Sequence, residues 1–136
     1  MAETIELEVV TPERQLVQEP VSEAQIPALA GYIGVLPGHA PLLSLLGSGV
    51  LRYTGQSGTR MAIAIHRGFV EVLPDHVRVL ANLAEPAAEI DLDRARTALA
   101  EANRRLLNDP ASATDPGVAL LESELARARV DAAEAR

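Results

Sequence analysis

Side chains that could do acid–base or metal chemistry are few in this sequence. Its histidines are His39, His66 and His76, and the surrounding pattern puts them in a loop, at a strand end and in a turn. No two have the i, i+4 spacing with which a helix presents a metal-binding pair, and no spaced carboxylates accompany them. The serines stand in turns without the glycine pattern that surrounds a nucleophile. The sequence therefore predicts no metal site and no catalytic site, and indicates a binding, coupling or regulatory protein.

Composition excludes several further classes. The 136 residues carry a net charge of −7 and include neither lysine nor cysteine. Without lysine there is no P-loop lysine and no Schiff-base amine. Without cysteine there is no disulfide, thiolate nucleophile or cysteine zinc site. Because an acidic chain is a poor partner for a phosphate backbone, no nucleic-acid partner is predicted.

The N-terminus and the apolar runs bear on location. Residues 1–6 carry acid where a signal peptide would carry positive charge, and no apolar run approaches the ~20 residues of a membrane span. We therefore expect a soluble, cytoplasmic chain. The lack of cysteine suits a reducing compartment.

Residues 1–86 have the period of β-strands. Between Thr4 and Val10, apolar and polar residues alternate strictly, which is typical of a half-buried strand. Further alternations follow, with stops predicted at Pro27, Gly47–Gly49 and Gly68. Short strands at this spacing favour an antiparallel β-sandwich or flattened barrel.

One segment of this β-region, Gly31–Leu43, interleaves three glycines, two prolines and His39 with aliphatic residues. Glycine permits unusual backbone angles and proline removes a ladder donor, so a shaped loop is predicted here and not a helix or a regular central strand. Two interpretations stay open. The loop presents apolar side chains to a partner, or it is a connection that packs on its own sheet.

The period changes to about 3.5 residues beyond Glu85–Pro86, which indicates helices in residues 87–136. Two helices, at about 91–107 and 116–134, are expected to form an antiparallel hairpin. Asp91 is the predicted N-cap of the first helix, and Asn108 its left-handed stop. Asp115 is the predicted N-cap of the second helix. The predicted apolar stripes are Leu92, Ala95, Leu99, Ala102 and Leu106 in the first helix, and Val118, Leu121, Leu125, Ala128 and Ala132 in the second.

The two stripes are poor in bulky side chains. Each buried leucine contributes roughly 1.5–3 kcal/mol, while ordering the helices costs conformational entropy. A hairpin held so weakly by its own contacts suggests a mobile or partner-dependent appendage. The alternative is a cap permanently docked on the sandwich.

Several motifs, taken together with this architecture, carry a family resemblance. Gly34–Leu43 reads GVLPGHAPLL, and GFVEV at Gly68–Val72 and VRVLA at Val77–Ala81 follow at matching distances. With a mainly β sandwich or flattened barrel and a C-terminal two-helix hairpin, the chain closely resembles the epsilon subunit of the rotary, F-type proton-translocating ATP synthase over essentially its whole length.

The resemblance implies a non-catalytic, mechanical role. The sandwich would bind the gamma subunit and rest on the ring of c subunits, with Tyr32, Pro37 and His39 in the region that faces that ring. The subunit would turn with gamma and couple ring rotation to ATP synthesis. In bacterial relatives the hairpin allows activity when folded down, and blocks ATP hydrolysis when extended along gamma into the alpha and beta subunits of the catalytic head. No cofactor is required.

ATP is a regulatory ligand of some relatives, which bind it on the folded hairpin through the motif Ile/Leu-Asp-x-x-Arg-Ala. The residues that match this motif are Ile90, Asp91, Arg94 and Ala95, with Glu85 upstream. An acid suits a ribose or base edge, and an arginine suits phosphate.

The chain departs from this ATP motif further along. It has Glu101 where ATP-binding relatives carry another arginine, and an acid there would repel a triphosphate. Arginines that could compensate are Arg104, Arg105, Arg127 and Arg129. The alternative is that Asp91 is only an N-cap and Arg94 only a surface charge.

The resemblance also implies a location. A peripheral subunit at the cytoplasmic face of a bacterial plasma membrane is expected, with membrane contact only through the ring. The stromal face of the thylakoid membrane is the alternative. Two rival functions stay open: a stand-alone ATP-sensing module, and a structural β-domain with a dimerising helical hairpin.

Overall fold

The computed structural model describes residues 4–108 and 116–135, in which a β-domain precedes two helices. The predicted fold class, a β-sandwich or flattened barrel followed by a helical hairpin, is confirmed. The elements are β1 Ile5–Val10, β2 Gln15–Ala28, β3 Gly31–Val35, β4 Leu42–Gly55, β5 Arg60–Val72, β6 His76–Pro86, a 3-10 turn Ala87–Glu89, α1 Leu92–Asn108 and α2 Pro116–Glu134.

The strands close into a flattened barrel. The sheet order is β1-β6-β5-β4-β2-β3, and a further pairing of β1 with β2 completes the ring. All neighbouring strands are antiparallel except β1 and β6, which are parallel. The ring consists of β1, β6, β5, β4 and β2, and β3 lies outside it, paired with β2.

The long strands exchange their inner and outer faces half-way along. In β5 the inward residues are Ile63 and Ile65 before the exchange, and Val70 and Val72 after it. Arg67 and Gly68, with φ of 59° and 131°, provide the change of parity. Because the inward residues of both halves join one core cluster, the halves face each other as two layers.

The predicted strand stops at Gly47–Gly49 and Gly68 are wrong, whereas β2 ends one residue after the predicted stop at Pro27. β2 continues to Ala28 because its pairing with β4 is interrupted between Gln25 and Ala28, so Pro27 removes no ladder bond there. β4 and β5 run through their glycines, which serve as bends. Gly47–Gly49 and Gly68 therefore mark irregular points within strands and not strand ends.

The Gly31–Leu43 segment is only partly a loop. Its first five residues form β3, which pairs with the end of β2 and lies at the edge of the sheet. An edge strand tolerates glycine because only one neighbour depends on its backbone. The predicted loop is limited to the residues between β3 and β4.

Helix α2 lies between the barrel and α1. It contacts β4 and β5 on one side and α1 on the other. The predicted stripe of α1 is buried or half-buried throughout. The predicted stripe of α2 is wrong at Val118 and Leu121, which are 42% and 39% exposed. A second buried stripe, which the sequence analysis did not identify, consists of Ala119, Ala126, Val130 and Ala133.

The ends of the helices differ in how far the structure describes them. Asp91 Oδ1 accepts a hydrogen bond from Arg94 N at 3.2 Å, so the predicted N-cap of α1 is confirmed. Asn108, the predicted stop, is the last residue of α1. The predicted cap at Asp115 lies outside the described residues, as does most of the predicted connector.

Candidate functional site

A row of apolar side chains crosses the outer face of the barrel layer that the hairpin does not cover. Leu45 of β4, Phe69 of β5 and Leu80 of β6 are direct cross-strand neighbours. They are 49%, 54% and 45% exposed, and Leu43 beside them is 71% exposed. We call these four residues the bare face. Contiguous exposed apolar side chains of this kind mark interaction surfaces.

Charged residues border the bare face. Glu71 of β5 is the cross-strand partner of Leu43, and Arg78 of β6 is in turn the partner of Glu71. The Glu8 carboxylate lies 3.7 Å from Arg78 Nε and 3.6 Å from His76 Nε2. An apolar centre with a polar rim is the usual composition of a protein–protein interface.

The loop after β3 is tied to its own barrel. Gly38 N donates to Pro74 O at 2.8 Å, and His39 Nδ1 bonds Ala40 O at 2.6 Å. Tyr32 Oη accepts a hydrogen bond from Val50 N at 3.0 Å, although 56% of the tyrosine is exposed. Pro37 and His39 are half-buried. The segment is therefore tied to its own barrel, as the second interpretation predicts, while Tyr32 stays accessible. Presentation of this segment to a partner stays a prediction.

Small side chains dominate the contact between the hairpin and the barrel. Val50, Ala62 and Ala64 of the barrel pack in one cluster with Ala128 and Ala132 of α2. Alanine lets a helix approach a sheet closely but buries little apolar area. The apolar part of this contact is therefore weak for its length.

Ion pairs also join the hairpin to the barrel. Glu85 at the end of β6 accepts from Arg129 of α2 at 2.7 Å. Arg67 Nη2 of β5 donates to Glu124 Oε2 of α2 at 2.8 Å. Both pairs are partly exposed, so each contributes no more than about 1 kcal/mol.

The residues predicted to bind nucleotide fall into two groups. Ile90 and Ala95 are buried in the cluster between helices and barrel. Asp91 and Arg94 lie on the exposed first turn of α1, joined by the cap bond. Glu85 forms its ion pair with Arg129 and not with Arg94. Among residues 4–108 and 116–135, no ion pair is formed by the Arg94 guanidinium.

The comparison with family models is decisive. Residues 4–87 match the family described as ATP synthase, Delta/Epsilon chain, beta-sandwich domain. The chain belongs to this family. The resemblance to ATP synthase epsilon subunits is thereby confirmed.

Relatives in the delta/epsilon family extend the match beyond the sandwich. The ATP synthase epsilon chain of Solibacter usitatus is 55% identical over 134 residues, which are 98% of each chain. That of Koribacter versatilis is 46% identical over 78% of this chain and 74% of its own. A chain in a structure of the Euglena gracilis mitochondrial ATP synthase, OSCP/F1/c-ring, superposes with a TM-score of 0.84 at 26% identity, covering 98% of this chain and 83% of that one.

For this delta/epsilon family member, the sequence contains a signal for the bare face. Phe69-Val70 and Val79-Leu80 are consecutive apolar residues on strands, so both faces of those strands must be apolar. One face builds the core and the other is exposed. The ion pairs of the hairpin had no comparable signal, because their partners are 44 and 57 residues apart.

Within residues 4–108 and 116–135, no helix of this delta/epsilon family member is long and apolar enough to span a membrane. The same residues contain no group of three or more potential metal ligands.

Proposed function

We propose that the chain is a non-catalytic central-stalk subunit of the ATP synthase, which couples rotation of the c ring to ATP synthesis. The observation that carries this proposal is the bare face, an apolar centre with a charged rim on a member of the delta/epsilon family. The gamma subunit is its proposed partner there. Tyr32, Pro37 and His39 are the proposed contacts to the c ring.

The proposed subunit is peripheral to the membrane. The related Euglena chain belongs to an assembly that contains F1 and the c-ring, which supports partners in both. We place the subunit at the cytoplasmic face of a bacterial plasma membrane, touching the membrane only through the ring. The thylakoid membrane is the alternative location.

The hairpin is the proposed regulatory part. Its contact with the barrel consists mostly of alanines and two partly exposed ion pairs, so only a few kcal/mol hold it down. Because so little free energy holds the hairpin on the barrel, a second position of the hairpin can also be populated. The released hairpin would extend along gamma to the alpha and beta subunits and inhibit ATP hydrolysis.

Removing the hairpin tests both parts of this function. We expect a chain ending at Glu89 to stay on the assembled enzyme, because the bare face remains, and to raise ATP hydrolysis several-fold over the full-length chain. The measurement is the hydrolysis rate of the complex reconstituted with each chain, together with the amount of each chain retained. An unchanged rate with normal retention would contradict the inhibitory role. Loss of the truncated chain would contradict docking through the barrel.

ATP is a proposed regulatory ligand of the folded hairpin. Arg94 offers a guanidinium at the start of α1 without an ion-pair partner among the described residues, and Arg129 lies on the adjoining helix. Two arginines of this kind suit a polyphosphate. Because Arg129 is paired with Glu85, phosphate would compete with that carboxylate.

Calorimetric titration of the isolated chain with ATP at millimolar concentration tests this ligand. We expect measurable heat for the native chain and a loss of most of it in Arg94→Ala. Arg96→Ala is the matched control, because Arg96 lies on the same helix and is paired with Glu134 at 3.6 Å. Absence of heat in the native chain, or an equal effect of both substitutions, would remove ATP from the proposal.

A further inference from the structure

The ladder between β2 and β4 is interrupted at Gly47–Leu51 of β4, and we call this segment the bulge. Beside it, β2 advances three residues, from Gln25 to Ala28, while β4 advances six. Within residues 4–108, which the structure describes, no residue of the bulge is paired with β2. Val50 of the bulge is 1% exposed and packs in the cluster that joins the barrel to α2. The bulge is therefore part of the surface on which the helical hairpin docks.

One backbone donor of the bulge points to the interrupted side of the ladder. Gly55 N donates to Thr59 O at 2.8 Å, which sets the alternation of hydrogen-bonded and non-hydrogen-bonded pairs along β4 and β5. In this alternation Val50 and Ala64, which lie opposite each other, form a non-hydrogen-bonded pair. The Val50 N–H therefore points away from β5 and toward β2. A buried N–H on that side needs an acceptor from outside the ladder.

The Tyr32 hydroxyl is this acceptor. Tyr32 lies on β3, opposite Pro27 of β2, and its Oη accepts a hydrogen bond from Val50 N at 3.0 Å. The tyrosine uses space that a side chain at Gly49 would fill. A Cβ on Gly49 would lie 2.6 Å from the Tyr32 Oη and 3.0 Å from Pro27 Cβ. Tyr32 is nevertheless 56% exposed, so one residue reaches both the outside of the barrel and the backbone of the bulge.

We propose that Tyr32 is a positioning residue for the helical hairpin. Its hydroxyl holds the bulge in the shape on which α2 packs, so a partner that draws Tyr32 off the barrel also loosens α2. The consequence for the enzyme rests on the proposed function, in which Tyr32 contacts the c ring and the released hairpin inhibits ATP hydrolysis. Under that function, contact at the ring and the position of the hairpin are coupled.

The hydroxyl favours the docked state over the released one because of access to water. While α2 is docked, Val50 is buried and its N–H depends on the Tyr32 hydroxyl. Once α2 leaves, the bulge is uncovered and water can accept the hydrogen bond. Loss of the hydroxyl therefore raises the free energy of the docked state more than that of the released state. By reciprocity, docking of α2 in turn favours Tyr32 in its place on the barrel.

The labelling rate of a buried thiol in the isolated full chain tests this coupling. The chain has no native cysteine, and Ala128→Cys introduces one thiol where α2 packs on the barrel, at a position that is 1% exposed. Such a thiol reacts only after the hairpin opens, so its rate measures the released fraction. In a separate chain, Val79→Cys introduces the thiol into the barrel core and reports unfolding of the barrel.

Removing only the hydroxyl should release the hairpin without unfolding the barrel. We expect Tyr32→Phe to raise the labelling rate of the Ala128→Cys thiol by about tenfold, and to leave the rate of the Val79→Cys thiol unchanged. Tyr53→Phe is the matched control, because it removes a hydroxyl from β4 itself that is bonded to Glu19 and not to the bulge. It should leave the rate of the Ala128→Cys thiol at its native value.

A second substitution displaces the same hydroxyl by another route. Gly49→Ala places a Cβ against the Tyr32 Oη and should also raise the rate of the Ala128→Cys thiol. Because both changes break one hydrogen bond, their combination should raise the rate by much less than the product of the two single effects.

The possible outcomes separate a positioning role from a merely structural one. A native rate of the Ala128→Cys thiol in Tyr32→Phe would overturn the proposal. So would equal acceleration of both thiols, an equal response to Tyr53→Phe, or single effects that multiply in the combined variant. The assay uses the isolated chain without ATP synthase. Its failure is therefore distinguishable from failure of the proposed function, which the truncation at Glu89 tests in the assembled enzyme.

Discussion

Replacing Gly68 with alanine is expected to destabilise the barrel by about 3 kcal/mol or more. Gly68 has a φ of 131°, which L-residues rarely adopt. A Cβ there would overlap the Leu80 carbonyl oxygen and lie 2.9 Å from Ala81 Cα. Both atoms belong to the backbone of the neighbouring strand, so no flexible side chain can give way. Relief would require moving β5 from β6 at the bend.

Thermal unfolding of the isolated chain checks this expectation. A loss of about 3 kcal/mol corresponds to a fall of about 10 °C in Tm for a chain of this size. Gly34→Ala is the matched control, because Gly34 has a regular φ and no atom within 4 Å of an added Cβ. Its Tm should change by no more than about 2 °C. Equal melting of both variants would show that the close approach at Gly68 is not a constraint.

The fold was predictable because the two halves of the chain have different hydrophobic periods. Alternation along β1 identified a half-buried strand, and the spacing of Leu92, Ala95 and Leu99 identified a helix. Local periodicity cannot reveal where a strand exchanges its faces, since that depends on the opposite layer. For this reason Gly68 was interpreted as a stop, although β5 continues through it.

The second buried stripe of α2 illustrates another limit. A helix between two partners buries both sides, so its residues show no single apolar face. The predicted stripe contains Leu121 and Leu125, and the stripe with Ala126 and Val130 was missed. Small residues at these positions have too little hydrophobic contrast to signal burial. Only the position of α1 explains why they are covered.

The residues of the candidate site also differ in whether the sequence could reveal them. Tyr32 and His39 were assigned to the ring-facing region by the family resemblance, and Asp91 was identified as an N-cap by its place before a helix. The contact between Ser48 and Glu124 had no such signal, because the two residues are 76 positions apart and meet only after α2 packs on the barrel. Contacts of this kind depend on tertiary structure, which periodicity does not encode.

Replacing Phe69 with glutamate is expected to weaken binding to the proposed gamma partner by roughly a hundredfold. Phe69 is the centre of the bare face, between Leu45 and Leu80, and is 54% exposed. Covering such a side chain contributes roughly 1.5–3 kcal/mol. A carboxylate in its place must lose water without a partner, which adds to the loss. About 3 kcal/mol corresponds to a hundredfold change in Kd.

We expect the Phe69→Glu substitution to leave the fold intact. The Phe69 side chain points away from the core, and Glu71 already occupies the next outward position of β5. Met61→Glu is the matched control, because Met61 lies near the other end of the same strand and is 43% exposed. The control introduces the same charge on β5 outside the bare face.

The affinity of the isolated chain for purified gamma subunit, measured for the native chain and these two variants, tests the central claim most directly. We expect tight binding for the native chain and for Met61→Glu, and a loss of roughly a hundredfold for Phe69→Glu at an unchanged Tm. Native affinity in a folded Phe69→Glu chain would contradict the assignment of the bare face as the surface that docks on the central stalk.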